Sequence, residues 1–237
     1  MPTTLITGTN RGLGLEFVKQ YAEAGWDVIA CRRAPDTAND LTALAKKHAP
    51  HISVEQLEMT DHTQIEALAT KYKGRPIDVL INNAGYMGDR DADQKVLGQG
   101  FGDIDYEMWD RVMKTNVFGP MRIAECFVDN VMQSDGKKLI NIGSTVGSIQ
   151  GRKVPAFVYS SSKTALHKVT NLMAGVLKPR GVVVAGVCPG RAKTQLGGPG
   201  AMIEVDDSVR GMRNVIDGLT MDQAGWLLRY TGDVVPW

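Results

Sequence analysis

Short apolar runs rich in β-branched and aliphatic residues recur along the chain. Between them lie stretches in which apolar positions return every three or four residues. Thr4–Thr7, Asp27–Cys31, Ile52–Leu57, Val79–Asn82, Lys138–Ile142 and Val182–Val187 read as strands. They are continuous more than alternating, the pattern of strands covered on both faces. Helical spacing predicts helices at about 13–24, 37–48, 62–73, 106–133 and 157–177, and in the first of these Leu13, Phe17, Tyr21 and Ala24 mark one buried face. Asp61 stands where the third helix should begin and can cap its free N–H groups. Strand–helix repetition of this kind predicts an α/β fold, a doubly wound parallel sheet with right-handed crossovers and helices on both faces. No Pro- or Ser-rich linker, internal repeat or low-complexity tract divides residues 1–237, so a single domain is expected.

Two segments break this rhythm. Tyr86–Asp105 is long, polar and Gly-rich and follows the fourth strand. Gly190–Asp207 follows the sixth strand and contains Gly197-Gly198-Pro199-Gly200. In an open α/β sheet ligands bind beyond the carboxyl ends of the strands, so both segments are expected to be substrate loops, the second a mobile lid.

Composition narrows the function classes. The 237 residues carry 27 Lys plus Arg against 26 Asp plus Glu, a net charge of +1, which argues against nucleic acid or an anionic membrane as the main partner. A hydrophobic share of 43% suits a globular chain, and no apolar run nears the roughly 18 residues of a membrane span. The first residues, Met1 to Gly8, run straight into a strand without a signal-peptide core. Cys31, Cys126 and Cys188 are odd in number, far apart and without metal-ligand spacing, so buried reduced thiols of a cytoplasmic protein are expected, and no metal. His48, His51, His62 and His167 show neither zinc spacing nor triad logic. Helix packing is the expected role of His167, and Trp26, Trp109 and Trp226 are expected to pack on sheet or helices.

Candidate chemistry begins where the first strand ends, in Thr7-Gly8-Thr9-Asn10-Arg11-Gly12-Leu13-Gly14. Gly8 permits a tight turn, Gly12 lets a pyrophosphate approach the backbone, and Gly14 lets helix pack on strand. The phosphates would meet the unpaired N–H groups and positive dipole end of the first helix. The second strand ends in Arg32-Arg33, where NAD enzymes usually place an acidic residue. Guanidinium groups there favour the 2′-phosphate of NADP(H), through Arg32 with Arg11 or Arg33 assisting.

Tyr159 and Lys163 stand four apart at the start of the last predicted helix and so share one face. An ammonium there can lower the phenol pKa toward working pH. The pair follows 15 residues after Ser144, which closes the fifth strand, and joins the strand-four ending Asn82-Asn83-Ala84-Gly85. With Asn116 and with Pro189-Gly190 followed by Thr194, these elements in this order resemble the short-chain dehydrogenase/reductase family over nearly the whole length. Within it Arg11–Leu15, Gly102–Tyr106 and Val235-Pro236-Trp237 look like the C-factor/Sniffer-like branch, which is similar to NADPH-dependent carbonyl reductases.

The resemblance implies a Rossmann-type fold and a set of roles. Tyr159 would protonate the carbonyl oxygen in reduction and act as base in reverse. Lys163 would bond the nicotinamide ribose, Ser144 would hold the substrate carbonyl, and Asn116 would hold a relay water. Asn83, Ala84 and Gly85 would line the adenosine side of the cofactor, and Pro189, Gly190 and Thr194 would flank the nicotinamide. Asn10 and Leu13 would join the glycine turn, and Glu58 and Met59 would face the adenine. Glu58 departs from the family's usual Asp, Gly143 replaces a common Ser, and Ser148 is a second candidate for the Ser144 role. The expected function is interconversion of a ketone or aldehyde and its alcohol with NADP(H). Rivals are a nucleotide-sensing regulator with little catalysis, and epimerisation or dehydration on the same scaffold. The partners expected are a small carbonyl or alcohol substrate and further copies of the chain, as a homodimer or homotetramer. Val112, Met113, Val117 and Phe118 would supply the apolar surplus for that contact.

Overall fold

The computed structural model describes residues 1–34, 39–92, 95–151 and 154–237. Thr37, where the second helix is predicted to begin, and residues 93–94 of the first long loop lie outside them. Seven strands form one parallel sheet: β1 (Thr3–Thr7), β2 (Asp27–Arg32), β3 (Ile52–Gln56), β4 (Val79–Asn82), β7 (Lys138–Ile142), β8 (Val183–Cys188) and β9 (Leu227–Arg229). Their order is β3-β2-β1-β4-β7-β8-β9, so the chain reverses its direction of travel between β1 and β4 and opens a crevice beyond their carboxyl ends. Helices α1 (Gly12–Glu23), α2 (Asn39–Lys47) and α7 (Val205–Asp217) and helices α3 (His62–Lys71), α5 (Gly119–Met132) and α6 (Phe157–Leu177) supply the two layers around the sheet.

Strand side chains alternate between these layers. Ile6, Ala30, Ile81, Ile140 and Ala185 join Phe17, Tyr21, Met212 and Ile216 in one core. Leu5, Ile29, Leu80, Leu139 and Val184 join Ile65, Phe127 and Met173 in the other. Burial on both faces is why the strands read as unbroken apolar runs. Each large side chain removed from water here contributes about 1.5–3 kcal/mol. Asp61 accepts from the Thr63 and Gln64 N–H groups, the cap its position predicts.

Four local features differ from the expectations. The helix expected over 106–133 is α4 (Tyr106–Met113), a π turn at Lys114–Phe118, and then α5. Pro120 explains the break, since its ring would meet the Asn116 carbonyl four residues back in a regular helix. The first long loop folds a short antiparallel pair, β5 (Gln99–Gly100) with β6 (Asp103–Ile104). The second ends early, because α7 begins at Val205, and neither α7 nor β9 is forecast by the apolar pattern. Finally, Val112 and Val117 are buried within this chain, so the surplus expected from them for oligomer contact is not there, whereas Phe118 is half exposed.

Candidate active site

The glycine turn and the ends of β1 and β4 are fastened together. Thr7 Oγ1 accepts from the N–H groups of Asn83 (3.1 Å) and Ala84 (3.0 Å), and Asn83 Nδ2 donates to the Thr7 and Gly8 carbonyls at 2.8 and 3.1 Å. Gly8 has φ +71°, and a Cβ there would lie 2.8 Å from Ala84 Cα. A Cβ on Gly14 would lie 2.1 Å from the Gly8 carbonyl oxygen, so only glycine lets α1 come this close to the turn. The α1 N-cap, Arg11, is extended and makes no side-chain cap bond among the described residues, which leaves the first-turn N–H groups facing the cleft. Such an N-terminus suits phosphate.

A cleft of about 1800 Å³ runs from this turn across the sheet edge. Gly8, Asn10, Arg11, Gly12, Leu13, Gly14, Arg33, Glu58, Met59, Asn83, Ala84 and Gly85 line one part of it. Ser144, Ser148, Tyr159, Lys163, Pro189, Gly190 and Thr194 line the other. Two candidates stand outside the lining. Arg32, expected to lead the contact with a 2′-phosphate, is instead buried at the end of β2, while its neighbour Arg33 is exposed, lines the cleft and lies 3.8 Å from a Glu58 carboxylate oxygen. Asn116 is fully buried in the π turn. Its amide accepts from the Tyr86 N–H and donates to the Tyr86 carbonyl, both at 2.8 Å, and donates to Ser162 Oγ at 3.0 Å. Its side chain therefore anchors the loop after β4.

Tyr159 and Lys163 lie on one face of α6 and are both buried. Lys163 Nζ donates to the Ile142 carbonyl at 2.8 Å and sits 5.7 Å from the centre of the Tyr159 ring. Burial pushes the lysine down to about 8. Burial also pushes the Tyr159 phenol above its ordinary value, the reverse of the lowering predicted from the Tyr–Lys spacing. Desolvation of the phenolate is the first cause, and the ammonium is engaged with the Ile142 carbonyl at the end of β7.

Two positioning contacts were not foreseen. Gln99, on β5, accepts from the Tyr159 N–H at 3.0 Å and donates to the Met87 carbonyl at 2.5 Å, so the short hairpin caps α6 from outside. A polar residue inside a loop gives no sequence signal for such a contact. The second involves His167. It is buried, and its Nε2 accepts from the Ser144 N–H at 3.2 Å. Burial and then the Lys163 ammonium hold it down to about 4, so the ring is neutral. Ser148 donates its hydroxyl proton to the Pro236 carbonyl, which turns that serine to the chain's final strap rather than to the Ser144 position.

The loop after β8 is cross-tied. Ala192 bridges Ile203, the Gly197 N–H donates to Thr194 Oγ1 at 3.0 Å, and Arg191 Nε donates to the Gly197 carbonyl at 3.0 Å. Arg90 Nη2 reaches the Leu196 carbonyl at 3.4 Å, joining the two long loops above the cleft. Among the described residues no cluster of His, Cys, Asp or Glu could hold a metal, and no helix is long and apolar enough to cross a membrane.

Comparison with known proteins fits this geometry. The family profile described as short chain dehydrogenase matches residues 2–200. C-signal of Myxococcus xanthus is 36% identical over 174 residues, 73% of this chain and 100% of that protein. An NADPH-bound carbonyl reductase from chicken fatty liver superposes with a TM-score of 0.87 at 30% identity, covering 100% of this chain and 99% of that one. The carbonyl reductase Sniffer of D. melanogaster gives 0.90 at 26% identity, covering 100% of both chains.

Proposed function

The chain belongs to the short chain dehydrogenase family, and from that premise we propose that it is an NADP(H)-dependent reductase of ketones or aldehydes. The observation that carries this reading is that Ser144, Tyr159 and Lys163 line the same cleft as the glycine turn and Arg33. The residues present fit the dinucleotide. The glycine turn and the α1 N-terminus offer a phosphate cradle, and Arg33 with Arg11 offers charge for a 2′-phosphate. Arg32 would support that corner from beneath. Solved relatives that bind NADPH or NADP support the same choice.

Bound NADPH would supply hydride to the carbonyl carbon. Ser144 Oγ already accepts from the Val146 N–H at 3.4 Å, so its own proton is available to the substrate carbonyl oxygen. Tyr159 gives its phenol proton to that oxygen as the alcohol forms, and a raised phenol pKa keeps it protonated and ready for this direction. Lys163 would hold the ribose and would return a proton to Tyr159. A relay through Asn116 would run by its main chain, since its amide is engaged with Tyr86 and Ser162. The substrate end is walled by Met87, Val96, Val146, Val154, Leu196 and Val235, which suits an alkyl or aryl carbonyl compound.

Copies of the chain would pair as a homodimer or homotetramer through Phe118, Met121, Leu172 and Val176, which remain substantially exposed. The three cysteines are free, in keeping with a cytoplasmic setting. The likeness to C-signal favours one second reading, a nucleotide-binding signalling protein. Turnover separates the two. A panel of ketones and aldehydes with NADPH, followed at 340 nm, should show oxidation of the cofactor. Tyr159→Phe should cut that rate by ~10²–10⁴-fold while leaving the NADPH dissociation constant near wild type. Normal turnover in a folded Tyr159→Phe protein would remove Tyr159 from the chemistry, and no turnover with any carbonyl would favour the signalling reading.

A further inference from the structure

The groups that would grip a carbonyl come from two different elements. Tyr159 and Lys163 stand on α6, whereas Ser144 stands just beyond β7, at the head of a 3-10 turn over Thr145–Gly147. Their relative placement depends on what holds that turn against the helix. Two side chains of α6 do so. Thr164 Oγ1 donates to the Gly147 carbonyl at 2.9 Å, and His167 Nε2 accepts from the Ser144 N–H at 3.2 Å.

His167 is one turn beyond Lys163 and two beyond Tyr159, so the three form a single stripe on α6. Its ring is wedged into the backbone on both sides of Ser144. A Cβ on Gly143 would lie 2.9 Å from Nε2, and one on Gly147 would lie 2.7 Å from Cε1. Trp237 covers the ring from outside, with the ring centres 5.6 Å apart. The neutral imidazole carries its proton on Nδ1, because Nε2 is accepting. A ring held this closely fixes the Ser144 main chain, and through it the direction of the hydroxyl.

We infer that His167 is a positioning residue, whose bond to the Ser144 N–H sets that hydroxyl in register with Tyr159 for the carbonyl. This rests on the reductase reading, and it adds a residue that never touches the substrate. Losing the bond leaves Thr164 still holding the turn, so the chain should fold and bind NADPH while the serine swings. Displacements of about 1 Å at such a site can lower turnover on the order of a hundredfold.

Three readouts test this. In His167→Leu, which cannot accept, exchange of the Ser144 amide hydrogen should accelerate. Carbonyl reduction should fall roughly ten- to a hundredfold in kcat, with the NADPH dissociation constant within about twofold of wild type. In His167→Gln, whose amide oxygen can accept, most of the protection and of the kcat should return. Placed on Ser144→Ala, His167→Leu should cause no further loss beyond about twofold, because the group it positions is already gone. Equal losses with and without the Ser144 hydroxyl, or Gln and Leu variants that behave alike, would overturn the inference while leaving the reductase reading intact. Unchanged turnover in Ser144→Ala would instead overturn the catalytic role of Ser144, and His167 would fall with it. Should the Leu variant not fold, the wild type decides. A through-hydrogen-bond scalar coupling between the Ser144 amide and His167 Nε2 is expected, and its absence sinks the proposal.

Discussion

Lys163 carries its ammonium where little water reaches it, with a pKa pushed down from 10.5 to about 8. The folded form therefore sheds its proton near pH 8, while the unfolded chain keeps it until about 10.5. Between those values the unfolded state binds more protons, so stability rises with pH there. Below pH 8 the buried charge is a constant burden of about 3 kcal/mol. Lys163→Met should thus raise resistance to urea at pH 7 by up to that amount, with the gain vanishing by pH 10.5 and activity lost. The same titration acts on catalysis. Carbonyl reduction by the wild type should hold level up to about pH 8 and decline above it, as the proton supply to Tyr159 fails. Arg33 makes a separate residue-level forecast. Arg33→Asp should weaken NADPH by about 1.5–3 kcal/mol, or ten- to more than a hundredfold, and spare NADH. Equal use of both cofactors by the wild type would rule that assignment out.

Among the elements, the helix α6 depends on a strand of two residues. Its N-cap, Ala156, has no side-chain acceptor, and Gln99 on β5 supplies the acceptor for the Tyr159 N–H from across the loop. Gln99→Ala should leave that buried N–H and the Met87 carbonyl without their bonds, at a stability loss of about 1–3 kcal/mol by urea unfolding. Turnover should fall alongside it, since Tyr159 sits on the loosened turn. A stability change below a few tenths of a kcal/mol would show the hairpin to be dispensable. The π turn before α5 works similarly. Its irregular backbone carries Asn116 inward, and the Asn116 amide then fixes Tyr86 at the mouth of the cleft.

At the scale of the whole molecule, the sheet order places the glycine turn and the Ser144, Tyr159 and Lys163 group on one rim. The two long loops meet above that rim through Arg90 and Leu196. Outside it, Leu172 and Val176 stand 56% and 68% exposed one turn apart on α6, and Phe118 and Met121 are also exposed. Light scattering at micromolar concentration should report a dimer or tetramer, and Leu172→Glu with Val176→Glu should drive it toward monomer without disturbing NADPH binding. A wild-type monomer would refute the pairing.

The sequence by itself determined six of the seven sheet strands, helices on either face other than α7, and the spacing of Gly8, Gly14, Ser144, Tyr159 and Lys163. Those signals are local, because a period of apolar residues or a glycine forced by a close approach is written within one element. Only the tertiary structure decided the rest. Pro120 could be read from the chain, but not that the segment before it would form a π turn with Asn116 buried. Adjacent arginines look alike in sequence, and only the end of β2 separates buried Arg32 from Arg33 in the cleft. The direction of the Tyr159 shift depends on how deeply the ring is buried, while the lysine four residues on bonds the Ile142 carbonyl. Gln99 and His167 act on Tyr159 and Ser144 from 60 and 23 positions away, through bonds that exist only once sheet, hairpin and helix are assembled. Spacing along the chain carries no record of such contacts, since it is packing across elements that creates them.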